Sequence, residues 1–138
     1  MKQREIKFRA KRIDNGEWVY GHFFEAPEGL RRGYNIVVDA SIKYLIDEKT
    51  LGQFTGLKDT KGQEIFENDI VKGIMGAGAG LQEKRGKECI FEVKIYLSGS
   101  GYGFFMEQIT KLTGDYRGFP ALKNCEVIGN IYSNPELI

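Results

Sequence analysis

Residues 89 to 97 constrain the fold more than any other stretch. Cys89, Phe91, Val93, Ile95 and Leu97 are apolar, and the positions between them are mostly polar or charged. Period two over nine residues places every second side chain on one face, which is the signature of a half-buried strand. Ile6, Phe8 and Ala10 repeat the pattern near the N-terminus. A helix would scatter these side chains around its axis, so the chain reads as mainly β.

Glycine marks the corners. Eighteen of the 138 residues are Gly and only three are Pro, a balance that suits short strands and tight turns. Asn15-Gly16 reads as a hairpin turn, because both residues tolerate positive φ. The return strand, Glu17 to Phe24, is apolar on both faces and is expected to be central. Residues 25 to 33 read as a loop. Tyr34 to Asp39 and Ile42 to Ile46 read as short strands, and Leu51 to Leu57 as extended chain. Lys58 to Gly62 is a turn in which Gly62 supplies positive φ. Ile70 to Ile74 is a strand, residues 75 to 88 a Gly-rich charged loop, and Ser98 to Gly101 a turn into Tyr102 to Met106. Phe105, Ile109 and Leu112 have helical spacing and Gly114 could cap them, so a short helix is one expectation there. The last strand is Cys125 to Tyr132, stopped by Asn134-Pro135.

The length suits one domain. Twenty basic and nineteen acidic residues give a net charge of +1, so no global field draws the protein to nucleic acid or membrane. No apolar run approaches the roughly 18 residues of a membrane span, and no secretory leader is evident. Two cysteines, Cys89 and Cys125, are too few for a disulfide scaffold and read as free thiols. A soluble, intracellular protein is expected.

Reactive patterns are weak. Gly73 to Gly78 has the first half of a P-loop, but Ala79 stands where the phosphate-reaching Lys should be. His22 alone cannot build a His-rich metal site and reads as a hydrogen-bonded structural residue. Asp59, Glu64, Glu67 and Asp69 fall close together without the spacing of a calcium loop. Turn chemistry accounts for Asp59, and Asp69 suits backbone N–H groups at the start of a strand. No catalytic, cofactor or metal residues are assigned, and no enzyme activity is expected.

Local charge supplies the one lead. Lys2, Arg4, Lys7, Arg9, Lys11 and Arg12 face only Glu5 in the first twelve residues. With Ile6, Phe8 and Ala10 on the core, Lys7, Arg9 and Lys11 line the other face and could contact nucleic acid. The plainer reading is a solvated face whose lysines protect an edge strand. Tyr20, Tyr34, Tyr96 and Tyr102 are available for base stacking, although core packing suits most of them.

Three stretches carry a resemblance to a known family. They are Ile6 to Ala10 with Asn15 to Gly21, Gln53 to Asp59 through Asp69-Ile70-Val71, and Glu126 to Leu137. Together they resemble the YopX-like proteins of phages and prophages over the whole length. Lys11 stands where the family usually has Trp, which would leave the first strand more exposed. Asn68 replaces the usual Gly before Asp-Ile-Val, and Asn tolerates the same left-handed turn. The resemblance implies an SH3-like small barrel portion with additional N-terminal strands, no catalytic residues and a role in oligomers. The expected organisation is one domain over 1–138, with N-terminal strands to about residue 50 and the barrel-like portion from about residue 51. The expected function is that of a phage accessory protein that binds a protein partner or a second copy of itself. The alternatives are nucleic-acid binding and a structural homo-oligomer. No membrane, cofactor or small-molecule substrate is expected.

Overall fold

The computed structural model describes residues 5–25, 34–39, 42–75, 88–98, 101–108, 117–118 and 122–138. The fold is mainly β, with antiparallel sheets and two short 3₁₀ turns among the described residues, Glu48–Thr50 and Pro135–Leu137. Among these residues no helix is long and apolar enough to cross a membrane. The chain divides into two compact units, Met1–Gly56 and Leu57–Ile138.

The first unit begins with β1 (Phe8–Lys11) and β2 (Trp18–Glu25), an antiparallel hairpin that pairs Phe8 with Gly21 and Lys11 with Trp18. Asn15-Gly16 lies in its loop, as the hairpin signal implies. Arg12 N–H donates to Glu17 O at 2.9 Å and Gly16 N–H to Arg12 O at 3.0 Å, which makes a four-residue loop. Only Gly16 has positive φ, +72°. Asn15 acts through its side chain instead, accepting the Glu17 N–H at 3.0 Å. β3 (Tyr34–Asp39) pairs with β2, and β4 (Ile42–Leu45) pairs with β3.

β5 (Gly52–Lys58) closes on the other side of β1, pairing Phe8 with Gln53 and Arg9 with Gly52. Through the first unit the order is therefore β4-β3-β2-β1-β5. β2 is central, as its two-sided apolar pattern implies. β1 is central too, so its lysines do not guard an edge and the absence of Trp at position 11 does not leave it open. This pairing also carries the first unit beyond residue 50. Ala10, Val19, Ile36 and Ile46 form the core, with Phe8, Phe23, Tyr44 and Leu51 packed against them. Side-chain parity follows: Phe8, Ala10, Val19 and Phe23 face this core, and the residues between them face away.

The second unit starts where β5 turns into β6 (Glu64–Phe66). Asp59 N–H donates to Gln63 O at 2.8 Å and Gly62 N–H to Asp59 O at 3.0 Å, with Gly62 at φ +82°. A second turn holds Asn68 at φ +71°, the left-handed conformation that its residue type tolerates. Asp69 Oδ2 then accepts the Phe66 N–H at 2.8 Å. The strands β7 (Asp69–Met75), β8 (Glu88–Ser98), β9 (Gly101–Gln108), β10 (Arg117–Gly118) and β11 (Leu122–Asn130) lie in the order β10-β9-β8-β7-β11.

β8 behaves as its alternation requires. Cys89, Phe91 and Val93 are buried with Ile65 and Val71, and Cys125 and Val127 pack against them. Both cysteines are free, Cys89 buried and Cys125 half-buried. Phe105 lies in β9 opposite Lys94, so no helix begins there. The remainder of that expected helix, the Gly-rich 76–87 segment and the 26–33 loop fall outside the described residues. β11 ends earlier than expected, at Asn130. Its side chain accepts the N–H groups of Tyr132 and Ser133 at 3.1 and 2.9 Å, which turns the chain away.

Candidate functional site

The outward face of the first unit follows from its registers. Arg9 stands opposite Tyr20, and Lys11 opposite Trp18. Phe54 N–H donates to Lys7 O at 2.8 Å, which sets Lys7 beside β5. His22 pairs with Val37, and Val37 with Lys43. Lys7, Arg9, Lys11, Trp18, Tyr20, His22 and Lys43 therefore share one face, the side opposite Ala10 and Val19.

Lys7, Arg9 and Lys11 do not form a bare cationic stripe. Arg9 is only 7% exposed, and its guanidinium lies 4.8 Å from the centroid of the Trp18 ring. Lys11 Nζ lies 5.5 Å from the same ring, and Lys7 Nζ lies 5.1 Å from that of Phe54. Lys7 also pairs with Glu5 at 3.3 Å. A cation over a ring face is held by the ring quadrupole, by about 0.5–1 kcal/mol at an exposed site and more when desolvated. Arg9 thus serves to fix Trp18, while Lys7 and Lys11 are half-buried.

Two rings on β2 differ from the rest. Tyr20 is 45% exposed although its strand is central. His22, two residues on, is also exposed. Lys43 is exposed on the same side. The parity of Lys7, Arg9 and Lys11 was readable from β1 alone. His22 and Lys43 join them only through pairings with β2, β3 and β4. The outward position of Tyr20 and His22 had one local signal, their alternation with Val19 and Phe23.

A second feature lies at the end of the β1–β2 hairpin. Arg12 donates through Nε to Asp14 Oδ1 at 2.8 Å and also through Nη2 to Oδ2. This bond holds the Asp14 carboxyl below its ordinary value. The guanidinium lies 4.2 Å from the Tyr44 ring centroid. A groove of about 550 Å³ opens there between Arg12, Ile13, Ile46 and Asp47. Ile13 is 60% exposed, and its N–H donates to Leu45 O at 3.1 Å.

The acidic residues near the 59–69 turns have structural partners. Asp59 accepts the N–H groups of Lys61 and Gln63 at 2.9 Å each and that of Val127 at 3.0 Å. Burial opposes its charged form, but these donors and the nearby Lys61 ammonium outweigh it and hold the carboxyl below its ordinary value. Lys61 Nζ meets Glu126 Oε1 at 2.7 Å. Glu67 is half-buried, and desolvation raises its carboxyl. Among the described residues no three His, Cys, Asp or Glu side chains converge on one point.

The two-sheet architecture defines a small β protein. The family model described as YopX protein matches residues 7–138, and the chain belongs to that family. It is also similar to a solved structure, protein EF1440 from Enterococcus faecalis, at 25% identity. That likeness covers 98% of this chain and 99% of the other, with a TM-score of 0.53. No curated protein matches the chain.

Proposed function

We propose that the protein is a non-enzymatic binding module, an accessory protein of a phage or prophage acting in the cytoplasm of its bacterial host. Its contact surface in this reading is the outward face of β1, β2 and β4. One observation carries the proposal: Tyr20 is 45% exposed on a central strand, beside cations already held against aromatic rings. An ordered aromatic flanked by Arg and Lys loses little entropy on contact, and such residues dominate interface energetics. The use of Asp59 and Asp69 on backbone N–H groups supports the same reading, since these carboxylates serve architecture.

The test is site-specific crosslinking in induced lysogens. A photoreactive phenylalanine analogue replacing Tyr20 should trap a macromolecule, while the same probe at Lys61 should not. Equal adducts at both positions, or none at Tyr20, would remove the assignment of this face.

A second reading, self-association, is favoured by the free edge of the same sheet. β4 is a terminal strand with exposed Ile42 and Leu45, and exposed Ile13 is hydrogen-bonded to Leu45. Edge strands of this kind pair readily with another chain. Light scattering that returned only 15.7 kDa at high concentration would exclude it.

A further inference from the structure

We infer that the outward face of β1, β2 and β4 takes single-stranded nucleic acid, with Tyr20 and His22 as stacking rings and Lys7, Lys11 and Lys43 as phosphate partners. The inference rests on the binding-module reading above and names its ligand class.

Charge is the first argument. The protein as a whole carries +1. On this face Lys7, Arg9, Lys11 and Lys43 gather, and Lys7 is paired with Glu5. A local excess of this sign complements a phosphate chain despite the neutral total.

Geometry selects single strands. Tyr20 and His22 are two residues apart on one strand, hence about 7 Å apart along it. Stacked bases in a duplex repeat at about 3.4 Å, so rings at twice that spacing suit bases that have been pulled apart. Duplex bases are enclosed and offer only their edges and phosphates. The major groove, about 12 Å wide, admits a helix or a two-stranded ribbon. A five-stranded face spans roughly 20 Å at about 4.8 Å per step and does not enter it. Open sheets with outward rings recognise unstacked bases instead.

The cations also fit a path. Lys43 and His22 are two strand steps apart through Val37, about 10 Å. Lys7 follows just ahead of β1, one residue beyond the Phe8–Gly21 pair. A backbone crossing the strands would meet Lys43, pass the Tyr20–His22 rings and reach Lys7 or Lys11. Arg9 is a positioning residue here, because it is buried against Trp18 and fixes that ring beside Lys11.

The experiment is fluorescence anisotropy on the full chain with oligo-dT, oligo-U and a duplex, each about 16 nucleotides long, the upper site size for a small β domain. Expected is binding of the single strands that weakens with salt, with a log–log slope of about −2 for three phosphates at about −0.7 each. Preference between oligo-dT and oligo-U tells DNA from RNA. Tyr20→Ala should weaken binding at least about fivefold and Tyr20→Phe should restore it, since the ring does the stacking. Lys43→Gln should flatten the slope by about 0.7, and thermal melts check that each variant is folded. Duplex binding as tight as single-strand binding overturns the inference. So does the absence of any salt-sensitive binding. If the oligonucleotides fail while Tyr20 crosslinks a protein in cells, the ligand class falls and the binding face stands. If both fail, both readings fall.

Discussion

Asp59 Oδ2 accepts the backbone N–H of Val127 at 3.0 Å, across 68 positions of sequence. The other oxygen of the same carboxylate closes its own turn through Lys61 and Gln63. Thr60 adds to the connection, donating its N–H and Oγ1–H to Cys125 O at 3.0 and 2.9 Å. One buried side chain thus ties the β5–β6 turn to β11. Asp59→Ala should cost on the order of 3 kcal/mol, because it leaves buried donors without an acceptor. Urea denaturation would measure the loss, and a change below about 0.5 kcal/mol would show that water or neighbouring groups replace the carboxylate.

The same carboxylate gives a pH dependence with a definite sign. Its folded value lies below its ordinary one. The stabilisation is therefore fully present above the unfolded value, about 3.9, and is lost as pH falls through the folded value. Asp59→Asn should flatten the acid limb of a stability–pH curve and leave its slope near neutrality unchanged. An acid limb identical in the two proteins would assign the acid sensitivity to other groups.

Asn68 sits at φ +71° between β6 and β7. Its backbone makes bonds that no side chain replaces: N–H to Val93 O at 2.8 Å, and O from Ile131 N–H at 3.1 Å. The strain of a left-handed residue is then the main variable. Asn68→Ala should destabilise by about 1 kcal/mol, while Asn68→Gly should be neutral or mildly stabilising. Thermal melts of the pair decide, and an alanine variant as stable as the glycine variant would mean that the turn relaxes.

Gly129 is required by space. A Cβ there would fall against Asn134 Oδ1, far inside van der Waals contact. That oxygen accepts the Asn130 N–H at 3.2 Å. Gly129→Ala should therefore displace the Asn134 side chain and cost about 1–2 kcal/mol, the range for a lost hydrogen bond plus local strain. Asn134→Ala should cost less, and the double variant should fall short of the sum of the two. Strict additivity would place the clash elsewhere.

Much of this was legible because the information is local. Alternation writes burial directly, so β8 and the inward Phe8 and Ala10 of β1 could be read, whereas Ile6, expected on the core, lies ahead of β1 and is 56% exposed. The roles of Asp59, Asn68 and Gly62 follow from a few neighbouring positions. Arg9 is different. Its parity was readable, but its burial depends on β5 arriving beside β1 from more than forty residues away and on Trp18 across the hairpin. The Asn15-Gly16 loop shows the same limit on a smaller scale. Its dipeptide specifies a turn, while the Arg12–Glu17 pairing decides the loop length.

The two thiols should react in a fixed order. Cys89 is fully buried in the core of the second unit. Cys125 is half-buried, and its thiol is pushed up by burial and by the nearby Asp59 charge. Thiolate is the reacting form, so both effects slow Cys125. A disulfide reagent on the native protein at neutral pH should modify Cys125 slowly, faster as pH rises, and Cys89 only on unfolding. Gly73 pairs with Cys89 on one side of β7, and the chain between Lys123 and Glu126 lies on its other side. The two cysteines are thus separated by two strand steps, about 10 Å, beyond the reach of a disulfide. Peptide mapping after labelling reports both sites, and rapid native labelling of Cys89 would mean that β8 opens far more easily than its buried face implies.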